Sequence, residues 1–214
     1  MRKRGRILMG IGFILIAGAL SLTVYNTMQE KNAAQNTEVV LQVFEEEIEY
    51  PEPVEDPAYI PDYILNPDME MPVKTVNGKP YIGKLSIPAL NRAFPVMTEW
   101  DYDKLKIAPC HYTGTIYARN MVIMAHNYNS HFGPIKNLSE GDEVTFLDMD
   151  GNLFAYVVEL VEELPATAID EMVDGGYDLT LFTCTLGGAA RVTVRCTMVD
   201  SGQYKDLRKM DKIR

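Results

Sequence analysis

The chain has 214 residues, 47% of them hydrophobic and 23% charged, with a formal net charge of −10. That is one ordinary domain plus an additional segment, with enough apolar residues to exclude wholesale disorder. An acidic balance argues against a nucleic-acid partner, which needs a basic face for the phosphates. Three cysteines are too few for a disulfide scaffold, and CxxC, HExxH and GxxxxGK[ST] patterns are all missing, which disfavours zinc-ribbon, zincin and P-loop readings.

The chain opens MRKRGR and then runs 18 residues, Ile7 to Val24, without a charge. At ~1.5 Å per residue this is ~27 Å, close to the hydrocarbon thickness of a bilayer. The stretch is longer than the apolar region of a usual signal peptide, so it reads as an anchor. Ala17-Gly18-Ala19 keeps a cleaved signal open. Basic residues before the span place the N-terminus in the cytoplasm and the remainder outside.

Residues 38–72 carry 11 acidic side chains, six of the 12 prolines and no Lys or Arg. Such a segment repels itself and is expected to be an extended stalk. Tyr50, Tyr59, Ile60, Tyr63 and Ile64 are more apolar than a spacer needs, which leaves folding back onto the domain as the alternative. The expected organisation is a basic tail over 1–6, a signal-anchor over 7–25, an acidic linker or lid over 26–73, a catalytic domain over 74–204 and a tail over 205–214.

From Lys74 the pattern changes to short alternating strands. Residues 79–87, Asn120–His126, Glu143–Asp148, Leu153–Val161, Leu179–Cys184 and Arg191–Met198 read as strands, separated by turn pairs such as Asn77-Gly78 and Gly187-Gly188. Short helices are expected near Phe132–Leu138 and Ala168–Val173. Many close strands with few helices imply a closed antiparallel β-barrel of about eight strands.

In Leu179–Cys184, alternation puts Leu179, Leu181 and Thr183 on one face and Thr180, Phe182 and Cys184 on the other. A cysteine ending such a strand is ordinarily a small buried hydrophobe. A two-residue turn centred on Gly187-Gly188 changes this, because it sets Cys184 opposite Arg191 and Thr180 opposite Arg195. A guanidinium beside a thiol favours the reactive thiolate. The proton carrier is one of His111, His126 and His131, and spacing alone does not choose among them. Cys196 reads as core, and Cys110, before His111, as a loop residue.

TLFTC at Thr180–Cys184, with Arg191 seven residues after the cysteine, resembles the TLxTC…R signature of sortases. YIGKLSIPALNRAFPV (81–96), HYTGT (111–115), MVIMAHN (121–127) and HFGPIKNLSEGDEV (131–144) resemble the family's other segments in the family's order. The resemblance implies Cys184, His126 and Arg191 as the catalytic set, with Thr183, Thr180, Phe182 and Ala125 beside the substrate. Ala125 stands where many members have Gly. It implies a membrane-anchored cysteine transpeptidase that cleaves an LPxTG-like sorting signal and transfers the protein to an amine of a peptidoglycan precursor or a pilin. That chemistry requires no cofactor. The connection from Glu159 to Tyr177 is modest and carries no long inserted helix, which leaves the class open between B-like and D-like. Asp56-Pro57-Ala58-Tyr59 resembles the Asp-Pro-aromatic lid of pilus-building sortases, with the aromatic one residue late. An extracellular cysteine endopeptidase without transfer, or a non-catalytic cell-surface module, are the other readings.

Overall fold

The computed structural model describes residues 2–48 and 60–199, with the side chains of the first few residues left aside. The Asp56–Tyr59 lid motif and the tail from 200 onward lie outside the described residues.

Helix α1 runs unbroken from Arg2 to Glu47. None of its apolar N-terminal stretch is buried against the rest of the chain. The stretch expected to be a linker behaves differently: residues 26–47 continue the helix and dock. Ala33, Val40, Phe44 and Ile48 are buried, at intervals of three to four residues or a multiple, while Glu38 and Glu45–Glu47 face water. This amphipathic stripe is what turns an acidic segment into a packed helix rather than a stalk. Val40 and Phe44 pack with Val76, Tyr81, Met97, Cys110 and Leu147. The Phe44 ring meets Tyr81 edge-on at 5.8 Å.

Nine strands follow: β1 (Lys74–Val76), β2 (Lys79–Ile87), β3 (Arg92–Glu99), β4 (Cys110–Thr113), β5 (Met121–Ala125), β6 (Glu143–Asp148), β7 (Leu153–Pro165), β8 (Leu179–Cys184) and β9 (Ala190–Met198). Eight of them, in the order β2-β3-β4-β5-β8-β9-β7-β6, close through a β2–β6 pairing into a barrel, and β1 adds to β2 as a hairpin. Closure and strand number agree with the sequence reading. The pairing is mixed rather than wholly antiparallel, because β3–β4 and β5–β8 are parallel. Each parallel joint is a crossover, and no local sequence pattern marks a crossover. Cys110 and His111, expected in a loop, instead begin β4, where Cys110 is fully buried under α1.

Leu85, Ile87, Phe94, Val96, Ile123, Leu181 and Val194 fill the barrel. A second, outer cluster of Val122, Phe182 and Met172 backs β5 and β8. Short helices α2 (Asp62–Leu65), α3 (Tyr102–Leu105) and α4 (Ile169–Val173), and a 3₁₀ turn at Gly133–Asn137, fill the connections.

The described part of the acidic segment closes one end of the barrel. Tyr63 on α2 stacks on Tyr117 at 5.2 Å and meets Phe154 edge-on at 5.3 Å. Met69 and Met71 pack against the barrel core, and Thr115 Oγ1 donates to the Pro67 carbonyl at 3.4 Å. Tyr117 precedes β5 and Phe154 begins β7, so this is the rim where β5 and β8 start. Cys184 ends β8 on the opposite rim.

Candidate active site

The rim that carries Cys184, the candidate reacting rim, is built by register. β5 and β8 run side by side, with Ala125 paired to Thr183. Thr183 Oγ1 donates to the Ala125 carbonyl at 2.8 Å and pins the two strand ends together. The residues that follow, His126 and Cys184, therefore leave the barrel at the same level. Across the next pairing Cys184 opposes Arg191, and Thr180 opposes Arg195. The turn between is tight, with φ of 86° at Gly187 and 76° at Gly188, a backbone that a side chain would resist.

The Arg191 guanidinium folds over its own hairpin, with Nη1 donating to the Gly188 carbonyl at 3.1 Å and the Ala190 carbonyl at 3.0 Å. Those two bonds hold it on the hairpin and leave Nε and Nη2 with no partner among the described residues. Cys184 is half-buried and carries a free thiol. It opens into a groove of about 610 Å³ between the 3₁₀ turn and the β8–β9 hairpin, with Asn127, Asn129, Lys136 and Glu163 along its walls.

His126 stacks on Tyr128, ring centroids 4.9 Å apart at 30°. Burial lowers its pKa, and the charge of Lys106 lowers it further, so the ring rests neutral at pH 7. Tyr128 lies in turn 5.3 Å from His131. His131 is fully buried. Neither of its ring nitrogens makes a well-formed hydrogen bond, and the Ile107 backbone offers only a weak one. Burial, then the neighbouring His126, pushes its pKa down to about 4. His111 is elsewhere on β4, its Nε2 2.6 Å from the Gly114 carbonyl. Of the three histidines, His126 alone stands beside the cysteine strand's end.

The four residues expected beside the substrate make these contacts within the barrel. Thr183 faces inward on its clamp, and Ala125 supplies the carbonyl for it. Phe182 is buried, with Tyr112 edge-on at 5.4 Å. Thr180 is buried and accepts from Arg195 Nη1 at 3.2 Å. Arg195 is itself buried. It pairs with Glu162 at 2.9 Å, donates to the Glu171 and Met172 carbonyls, and lies over the Tyr177 ring. It pins α4 and the β7–β8 connection to the barrel.

The sortase-domain family model matches residues 85–199, more than half of the chain. The chain belongs to the sortase family. Among solved structures it is similar to sortase C1 of the GBS pilus island 1, with 20% identity, a TM-score of 0.48 and coverage of 55% of this chain and 64% of that one. It is also similar to sortase C-1 from Streptococcus pneumoniae, with 23% identity, a TM-score of 0.48 and coverage of 55% and 66%. A Clostridium perfringens sortase C with the C-terminal cell wall sorting motif matches at 25% identity, a TM-score of 0.49 and coverage of 56% and 71%. The chain spans just under two thirds of the length of the first two. No curated protein matches.

Sequence reasoning set the hairpin register that pairs Cys184 with Arg191 in this sortase domain. It missed Arg195 as a structural pillar, because parity makes it the twin of Arg191. It also missed Tyr128, whose role depends on a loop fold that periodicity does not encode. Among the described residues, no group of three or more His, Cys, Asp or Glu is arranged to hold a metal ion.

Proposed function

We propose that this sortase is a membrane-anchored cysteine transpeptidase. It cleaves an LPxTG-like sorting signal between Thr and Gly and passes the acyl group to an amine of a peptidoglycan precursor or a pilin. The apolar part of α1 spans the membrane, with the N-terminus cytoplasmic and the barrel outside.

One observation carries the catalytic assignment: the β8–β9 register that sets Cys184 opposite Arg191 at the level where β5 delivers His126. Neutral His126 takes the Cys184 proton, and the thiolate attacks the threonine carbonyl. The free donors of Arg191 stabilise the oxyanion, a contribution of about 10²-fold or more in rate. Imidazolium His126 then protonates the departing glycine amine, leaving a thioester on Cys184. An incoming amine attacks the thioester, His126 removes its proton, and the thiol is regenerated.

The test is mass spectrometry of the full chain in detergent with sorting peptides, with and without triglycine. An acyl-enzyme on Cys184 and a triglycine-extended product are expected. Hydrolysis alone would favour the endopeptidase reading, and absence of an acyl-enzyme with every peptide would favour a non-catalytic module.

A further inference from the structure

Helix α1 is continuous from the apolar stretch into the part that docks on the barrel, and the first loop it meets is the one after His126. Glu30 Oε1 accepts from the Asn129 amide at 2.9 Å, and the Glu30 carbonyl accepts from Ser130 Oγ at 3.3 Å. Further along, Asn36 reaches the Tyr81 hydroxyl at 3.3 Å. Val40 and Phe44 join the cluster containing Leu147, next to the β6–β7 turn. Lys74 on β1 pairs with Glu47 at 2.8 Å. The helix thus enters at the reacting rim and leaves toward the far one.

Glu30 is six positions past Val24. At ~1.5 Å per residue the loop lies ~9 Å beyond the apolar span, against an interfacial layer of roughly 5–8 Å on each side of a bilayer. We propose that α1 is a rigid mast holding the reacting rim, with its mouth at Cys184, against the headgroup layer of an anionic phospholipid membrane.

Three further observations fit that partner. Leu186, at the tip of the β8–β9 hairpin on the same rim, is a 90% exposed apolar side chain that nothing among the described residues covers. Tyr25 stands directly after the span, where an amphipathic ring sits at a membrane interface. It shares its surroundings with Lys106 and Tyr128. Charge is graded along α1 as well. Between Val24 and Glu38 the only acidic residue is Glu30, which the loop uses, whereas the acidic run lies further along the helix. Beyond the span Lys31 follows Glu30 directly, and Lys106, paired with Asp103, lies near Tyr25; anionic headgroups attract such cations near the surface. The consequence for the site is geometric. Its acyl donor and amine acceptor must be presented at the bilayer surface, not approached from bulk water.

The inference rests on the reading of α1 as a span, and its test does not depend on catalysis. The full chain carrying Cys184→Ala is reconstituted into phosphatidylcholine–phosphatidylglycerol vesicles. A single fluorophore is attached through Asn129→Cys, Leu186→Cys or, on the far rim, Asp150→Cys; the buried Cys110 and Cys196 do not label. Lipids bearing a nitroxide on the headgroup are expected to quench the first two labels several-fold more than the third. Equal quenching at all three positions, or none at Asn129→Cys, overturns the mast. Flotation of the same samples separates the two levels. A chain that does not float with the vesicles removes the span and the mast together. One that floats without quenching at Asn129→Cys removes only the mast.

Discussion

The two rims of the barrel are built from opposite materials. The far rim is closed by side chains: Tyr63, Tyr117 and Phe154 stack over it. Beneath them the buried Asp148 accepts from the Tyr117 hydroxyl at 2.8 Å and from the Asn152 amide at 2.8 Å. The reacting rim is held by backbone register, one threonine clamp and a glycine turn, and its functional side chains stay half-open. Burial stabilises one end, and the other end is free to carry groups that burial would silence. Substitutions at the two rims should therefore separate into effects on rate and effects on stability.

The largest effect is expected at Cys184. Cys184→Ala should abolish the acyl-enzyme and leave the melting temperature nearly unchanged, as read by intact mass and calorimetry on one sample. Cys196→Ala and Cys110→Ala should behave in reverse. Both thiols are fully buried, and burial raises both pKa values, Cys110 to about 12, so neither is a nucleophile. Each replacement should retain acylation and cost on the order of 1 kcal/mol for the void left behind.

Arg191 and Arg195 make the same contrast within a single strand face. Arg191→Ala should lower kcat/KM by about 10²-fold with little change in stability. Arg195→Ala removes the buried partner of Glu162 and the donor to two carbonyls, and should cost on the order of 3 kcal/mol of stability. Its turnover, measured well below its own melting temperature, should fall much less than that of Arg191→Ala. Urea titrations beside steady-state kinetics decide this, and the reverse ranking would refute the assignment of Arg191.

That pair also shows how far the sequence could be read. Period-two alternation and a Gly-Gly turn were enough to set the hairpin register residue by residue, because both are local. Nothing local distinguishes Arg191, bonded to its own turn, from Arg195, whose partners Glu162, Glu171 and Met172 come from distant parts of the chain. The parallel β5–β8 joint that brings His126 to Cys184 is equally non-local, and the resemblance to sortases was what chose His126. Helix α1 was misread for another reason. Its buried stripe of Ala33, Val40, Phe44 and Ile48 is visible in the sequence, but the intervening glutamates dominate the composition.

Acid should distinguish the rims by sign. At the reacting rim burial lowers the pKa of His126 and of His131, the latter to about 4. The unfolded chain then binds these protons more readily than the folded one. Their contribution is intact above the unfolded pKa of ~6.5 and is lost as pH falls toward ~4. For His131 the slope is ~1.4 kcal/mol per pH unit, on the order of 3 kcal/mol across that window. At the far rim burial raises the pKa of Asp148, so the folded state binds that proton more readily and gains stability as pH falls through its raised value. His131→Phe should flatten the acid loss of stability as pH falls from ~6.5 toward ~4, and Asp148→Asn should steepen it where the raised carboxyl titrates. Urea midpoints of the three proteins across that range test both signs. Parallel curves for all three would remove the contrast.

The smallest effect is expected at Tyr63, and it bears on what the acidic segment does. Its ring is half-buried, stacked on Tyr117 and edge-on to Phe154. Such contacts contribute about 0.5–1.5 kcal/mol beyond the area they bury. Tyr63→Ala should therefore lower stability by about 1–2 kcal/mol. Tyr63 is at the rim opposite Cys184, so the same variant should leave both the thiol-labelling rate of Cys184 and the Michaelis constant for peptide unchanged. A lid role for the segment gives the opposite expectation, because loosening its docked end would free the mouth of the groove. The comparison is made at 25 °C on protein shown to be folded by circular dichroism. Faster labelling of Cys184 in Tyr63→Ala would mean that the far rim governs access to the reacting one. Equal rates, with the loss confined to the unfolding midpoint, would keep the two rims independent.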